Sequence, residues 1–158
     1  MNEILHTLVP MRDGVRLAAS VFLPEHRRPC PVALVRTAYN RVGPAGWAKG
    51  LVKRGIGLVV QDTRGRYDSD GDHVPFTDEG SDGYDTLDWI VSQPWSNGSV
   101  GMLGDSYLAF VQLLLAPMQH PALKVVNPRF VSADAATATP ISAVPSSAAS
   151  AGSYPMSR

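Results

Sequence analysis

The chain has 158 residues, enough for one domain with a hydrophobic core, and its 44% hydrophobic content is ordinary for a globular protein. Its 14 basic and 14 acidic residues cancel, which removes any overall field that would draw it to nucleic acid or to an anionic membrane. Cys30 is the sole cysteine, excluding an internal disulfide framework and a multi-cysteine metal site; MNEILHTLVPMRDG lacks the marks of a secretory signal and no run reaches transmembrane length, so a cytoplasmic protein is expected.

Taken in order, residues 4 to 23 read as two strands, ILHTLV and VRLAASVFL, joined at Arg12-Asp13-Gly14, because Asp-Gly supplies the positive φ of a tight hairpin. The apolar run VALV has the character of a strand buried on both faces, and the loop RTAYNRVGPAG follows it. Trp47 to Arg54 forms a short helix stopped by Gly55, after which IGLVVQ gives another buried strand ending at Asp62. Strand, helix, strand is the pattern of a parallel α/β unit. A polar loop, DTRGRYDSDGDHVPF, comes next. Ser81 is the expected N-cap of a second helix, in which Tyr84, Leu87, Ile90 and Val91 recur at helical spacing and which Pro94 ends. A turn at Ser96-Asn97-Gly98 leads to the strand SVGML; YLAFVQLLLA is a third helix halted at Pro117, and ALKVVN, before Pro128, is the last strand. From Val131 the chain is mostly alanine, serine, threonine and proline, a composition without period or bulk, and residues 131–158 are expected to be a disordered tail outside the fold.

The chemistry concentrates in GMLGDSYLAF. In alternating α/β proteins reactive groups sit at the carboxyl ends of strands, where the chain turns into a helix whose N-terminal amides can hold an anion. Ser106 is placed there, with Gly104 two residues before it, as a strand-to-helix nucleophile elbow requires. The usual second glycine, two residues after the serine, is Leu108, so the motif alone also admits a plain turn with a serine N-cap.

Further segments join this one. PMRDGVRLAASVFLP, VRTAYNR, VVQDTRGRYDSDG, DEGSDGYDTLDWIVSQPWSNGSVGM and GDSYLA resemble, in that order, the N-terminal part of the catalytic domain of the CocE/NonD, Xaa-Pro dipeptidyl-peptidase-like (peptidase S15-type) α/β-hydrolases. The resemblance covers about residues 4 to 130 and implies a partial α/β-hydrolase fold: an opening hairpin, then a mostly parallel sheet with flanking helices, truncated after about the sixth strand. The elbow in that family is G-x-S-Y-x-G, which accounts for Tyr107 and moves the second glycine to the position of Ala109. Asp105 is the other departure, and a surface carboxylate is its plainer reading. The resemblance implies that Ser106 is the nucleophile, that the Tyr107 backbone N–H is one oxyanion-hole donor, and that the Tyr39 hydroxyl is the other. Pre-aimed donors of this kind stabilise the charge of a tetrahedral intermediate.

A serine needs a base, normally a histidine oriented by a carboxylate, and in α/β-hydrolases both follow the serine, acid first. After Ser106 come only His120 and then Asp134, in the reverse order. The intervening helix carries the chain about 14 Å away from the serine before His120 is reached. Upstream, His6 lies in the hairpin, His26 in a charged loop, and His73 in the polar loop, where a solvated role is expected. The expectation is therefore a truncated or frame-disrupted chain that lacks the triad acid and histidine. Asp68, Asp70, Asp72 and Glu79 match positions 1, 3, 5 and 12 of a calcium loop, but His73 stands where such a loop needs glycine. No metal and no cofactor is expected. The resemblance implies a serine hydrolase acting through an acyl-enzyme on a small ester or amide, a Xaa-Pro peptide among the options. The alternative is a non-catalytic interaction fragment that self-associates through an exposed sheet edge.

Overall fold

The computed structural model describes residues 1–26 and 28–131. The hairpin is present as β1 (Asn2–Pro10) and β2 (Arg16–Leu23), antiparallel, with the tight turn at the expected Asp-Gly. β3 (Cys30–Thr37) is followed by two short helices, α1 (Val42–Ala45) and α2 (Ala48–Lys53), and by β4 (Gly57–Asp62), which pairs parallel to β3. Every residue of β4 is buried, as its uninterrupted apolar run dictates. The long helix α3 (Glu79–Ser92), the strand β5 (Ser96–Asp105), the helix α4 (Tyr107–Leu115) and the strand β6 (Leu123–Arg129) complete one six-stranded mixed sheet of order β1-β2-β4-β3-β5-β6. This is the α/β arrangement expected from the sequence.

The core shows why the elements hold together. Leu34, Leu58, Leu87, Ile90, Val100, Met102, Val111 and Leu115 are all 2% exposed or less, so the sheet and the faces of α3 and α4 close over each other. Each such side chain removed from water is worth about 1.5–3 kcal/mol. α3 and α4 pack together over β3, β5 and β6, whereas α2 lies against β2 and β4. Along β5 buried and half-buried residues alternate, because only one face of that strand is roofed by α3 and α4.

Three local expectations need correction. α3 begins at Glu79 with Asp78 at its N-cap, and Ser81 lies inside the first turn, where its hydroxyl donates to the Asp78 carbonyl oxygen at 3.0 Å. The Ser96-Asn97-Gly98 turn chemistry is real, since Ser96 Oγ and Asn97 Oδ1 accept the Gly98 and Ser99 N–H groups, but it forms an irregularity within β5. β6 runs on through Pro128, which an edge strand tolerates because no central ladder bond is lost. The expected tail lies, apart from Val131, outside the described residues, as does Asp134. Among the described residues no helix is long and apolar enough to cross a membrane.

Candidate active site

β5 delivers the chain to the elbow, and the backbone there is unlike any regular strand-to-helix turn. Ser106 has φ +54° and ψ −119°, a region that L-residues with side chains avoid at a cost of about 1–3 kcal/mol. Gly104 has φ +150°, and a Cβ built on it would lie 2.4 Å from Leu108 Cβ, so the strand and the helix approach too closely for any side chain at 104. Ser106 sits at the N-cap of α4, yet its hydroxyl makes no capping bond, and the residue is exposed. A serine placed there for helix capping would accept an amide proton of the first turn; this one holds its Oγ clear of the backbone. The helix is secured without it, because the Ala109 and Phe110 N–H groups donate to the Ser106 carbonyl oxygen at 2.9 and 3.1 Å. Ala109 is fully buried, and α4 continues through it unbroken.

Tyr107, the first helical residue, has no intrahelical acceptor for its N–H. Its side chain points away from solvent and its hydroxyl donates to Glu79 Oε1 in a very short hydrogen bond. Burial first, and then the Glu79 carboxylate, push the phenol's pKa up. Tyr39 is 60% exposed and stands edge-on to Tyr107, with ring centroids 6.0 Å apart. Its loop is pinned at both ends. The Tyr39 N–H donates to Thr37 Oγ1 at 3.0 Å, and Arg41 is bound by Asp62 through its backbone N–H at 2.7 Å and Nη1 at 2.5 Å. Arg41 is held charged, because its bonds to Asp62 and Asp68 outweigh the opposing effect of its burial. The structure therefore gathers Ser106, Tyr107 and Tyr39 at the carboxyl edge of β3 and β5. Phe76 extends this aromatic wall, with its ring 5.0 Å from both Tyr107 and Phe110.

The remaining candidates separate cleanly. Asp105 is 40% exposed in its side chain and ion-paired to Arg129, with Nε 2.6 Å from Oδ1, so it is the surface carboxylate expected. His120 is buried at the far end of α4. Its Nδ1 accepts the Ala122 N–H at 3.0 Å, leaving Nε2 to donate to Asp88 at 3.0 Å, and both ring nitrogens are thereby committed. His6 receives a bond from Arg41, and His26 is out in solvent. His73 is half-buried, 6.2 Å from the Tyr107 ring, where a solvated loop histidine was expected. Its Nδ1 donates to the Arg64 carbonyl oxygen at 3.2 Å, which leaves Nε2 as the acceptor nitrogen of the neutral ring. A Cβ on Gly65 would lie 2.2 Å from the His73 backbone nitrogen, so the loop must fold back on itself there. Among the described residues no histidine is hydrogen-bonded to Ser106.

Three of the four carboxylates in the calcium-loop pattern have protein partners. Asp68 pairs with Arg41, Asp70 with Arg16, and Glu79 is buried beneath Tyr107; among the described residues no three metal-ligating side chains converge. What sequence reasoning missed is the polar cluster to which Glu79 belongs. Arg36, completely buried, donates from Nε to Gln61 Oε1 at 2.8 Å and from Nη1 to the Glu79 carbonyl oxygen at 2.6 Å, and Nη1 lies 3.1 Å from Glu79 Oε2. Thr86 donates to the same Gln61 oxygen. Arg64 grips Asp82 with Nη2 and Nε at 2.6 and 3.1 Å and reaches Asp13 with Nη1 at 2.7 Å. The sequence marked Arg64 and Asp62 as hydrogen-bonding supports of the polar loop, whereas for Arg36 the signal was only an arginine near the end of an otherwise apolar strand.

Comparison with known proteins shows the family. The model of the X-Pro dipeptidyl-peptidase (S15 family) matches residues 13–149. Cocaine esterase of Rhodococcus sp. (strain MB1 Bresler) is 42% identical over 135 residues, a match spanning 82% of this chain and 24% of that protein. Among solved structures, an α-amino acid ester hydrolase superposes with a TM-score of 0.71 at 34% identity, covering 79% of this chain and 24% of the other. A CocE/NonD family hydrolase from Staphylococcus aureus gives 0.69 at 27% identity, over 78% of this chain and 26% of its own. The chain thus spans about a quarter of the length of these three relatives. With its elbow, its sheet order and this match, the chain belongs to the X-Pro dipeptidyl-peptidase (S15) family of hydrolases.

Proposed function

We propose that this chain carries the nucleophile and the oxyanion hole of a serine hydrolase that cleaves a small ester or amide bond. The observation that carries the reading is the strained, uncapped and exposed Ser106, held between β5 and α4 and followed by Tyr107, whose ring meets that of Tyr39 edge-on. In the reaction Ser106 Oγ forms a bond to the acyl carbon while the Tyr107 N–H and the Tyr39 hydroxyl stabilise the negative oxygen. The alcohol or amine then leaves with a proton, and water hydrolyses the acyl-enzyme. With no histidine bonded to Ser106 among the described residues, the chain by itself is expected to turn over very little, its residual rate coming from the oxyanion hole and binding alone.

A fluorophosphonate probe tests this reading. Oγ attacks phosphorus, the P–F bond breaks, fluoride departs, and the serine proton goes to solvent. The expected result is slow labelling confined to Ser106, absent in Ser106→Ala, with a rate that climbs with pH and shows no plateau near an imidazole pKa of about 6.5. Labelling of other serines at equal rates overturns the nucleophile assignment. Rapid, stoichiometric labelling with a plateau overturns the absence of a base, and loss of that plateau in His73→Ala locates the base on the loop beside Tyr107. A second reading, an interaction fragment of such a hydrolase, draws on β6, which among the described residues has no strand beyond it.

A further inference from the structure

Both proposed oxyanion donors lead back to one buried ion pair. Tyr39 stands three residues beyond Arg36 on the turn that leaves β3, and Tyr107 begins α4 on the far side of the elbow. Arg36 is 0% exposed and Glu79 is 4% exposed, so both lie beneath the surface at which Ser106 and Tyr39 are exposed. The Glu79 carboxylate nevertheless spans the gap, with Oε1 taking the Tyr107 hydroxyl proton and Oε2 lying 3.1 Å from Arg36 Nη1. Nη1 also binds the Glu79 backbone carbonyl, so the first turn of α3 cannot swing away with its carboxylate. Gln61 fixes the other side of the guanidinium and is itself fixed by Thr86. Gly83 faces the same arginine: a Cβ there would lie 3.3 Å from Arg36 Nη1 and 3.0 Å from Leu115 Cδ2, so no side chain could be added without displacing one of them.

We propose that Glu79, anchored by Arg36, is a positioning residue of the oxyanion hole: it holds the Tyr107 phenol and thereby fixes the Tyr107 peptide and aims its N–H. The physical need is specific. Ser106 is in a strained backbone conformation, and a strained peptide relaxes unless its neighbours hold it. Ser106 is tied on its N-terminal side, where its N–H donates to the Arg129 carbonyl oxygen at 3.0 Å. On the C-terminal side the Ser106–Tyr107 peptide is held by the Ala109 and Phe110 N–H bonds to the Ser106 carbonyl oxygen, and the Tyr107 side chain adds a second hold through its hydroxyl, which donates to the buried Glu79 carboxylate. A hydrogen bond to a charged group is among the stronger ones a side chain makes, so it can oppose backbone strain of this kind.

The inference rests on the nucleophile reading, and its test separates the two. The phosphonyl oxygen of a fluorophosphonate occupies the oxyanion position, so labelling of the full chain reports the aim of the Tyr107 N–H even without a base. Tyr107→Phe is the chief variant, because it removes the hydrogen bond and leaves the Arg36–Glu79 pair intact, so the fold survives. The limiting labelling rate at saturating probe should fall about ten- to a hundredfold, while the probe concentration at half-saturation stays the same. Glu79→Gln, whose amide oxygen still accepts the phenol proton, should keep more of the rate than Glu79→Ala when each is corrected for folded fraction by circular dichroism. A lowered melting temperature with an unchanged limiting rate in Tyr107→Phe makes the pair merely structural and overturns the proposal while leaving the nucleophile reading in place. Failure of the unsubstituted chain to label at Ser106 overturns both.

Discussion

At the scale of single residues, Ser106 does one thing that packing would not ask of it. Its φ of +54° serves neither a cap nor a core contact, and glycine would occupy that backbone with less strain. Ser106→Gly is therefore expected to be more stable than Ser106→Ala by about 1 kcal/mol, read from urea unfolding midpoints, although both abolish labelling. Equal stabilities would show that the elbow is not strained. The strained turn at Gly104 and Ser106 was legible in the sequence because an elbow is a local motif, whereas Tyr107 was singled out by the family resemblance. Glu79 was legible only as one acid in a series with Asp68, Asp70 and Asp72, since its actual partners, Arg36 and Tyr107, lie 43 and 28 residues away. His73 was misjudged for the same reason. A polar loop sequence predicts solvent, and only the folded sheet brings that loop beside Tyr107.

At the scale of elements, ion pairs dock the opening hairpin onto α3. Arg12 binds Asp85 through its backbone N–H at 2.8 Å and its guanidinium at 2.6 and 2.9 Å, and Arg64 bridges Asp13 of the hairpin turn to Asp82. Burial pushes the Asp85 carboxyl up, but the Arg12 bonds more than reverse this and hold it below its ordinary 3.8. A carboxylate with a depressed folded pKa contributes stability that is fully present above 3.8 and is lost as pH falls through the folded value. Asp85→Asn should accordingly melt below the unsubstituted chain at pH 7, and the gap should narrow once the pH drops below 3.8. Asp62, which burial raises, acts with the opposite sign, but it is common to both chains and cancels in the difference. A gap that stays constant from pH 7 to strongly acidic solution would show that Asp85 acts by shape and not by charge. The strands β3 and β4 were readable from sequence because burial on both faces writes an uninterrupted apolar run. The starts of α3 and β5 were not. Ser81 and Ser96-Asn97-Gly98 carry real turn chemistry, but the Glu79 ion pair extends the helix upstream and the pairing of Ser96 with Cys30 extends the strand.

At the scale of the whole molecule, the sheet has two edges, β1 and β6, and they differ in what lies beside them. β1 is antiparallel to β2 and β6 is parallel to β5, and among the described residues neither has a neighbour beyond it. Beside β6 lies a groove of about 420 Å³, lined by Leu51, Ile56, Gly101, Leu103 and Val125. Val125 is 60% and Phe130 is 83% exposed. An edge strand with unpaired backbone groups and apolar side chains is a template for another chain unless a charge or a bulge blunts it. Lys124 lines the groove too, but its ammonium is turned back onto the Pro121 carbonyl oxygen at 2.7 Å and does not guard the edge. We propose that this chain, in isolation, self-associates through β6 and that groove. Size-exclusion chromatography with light scattering over a range of concentrations should show mass rising with concentration, and Val125→Lys should shift the chain toward monomer, because a lysine on the edge must be desolvated before a second strand can pair. Labelling at Ser106 should be unchanged by that substitution, since Val125 lies on the groove side of the sheet edge and Ser106 beyond the carboxyl end of β5. A compact monomer at every concentration, unfolding cooperatively, would overturn the association and leave the elbow chemistry standing on its own.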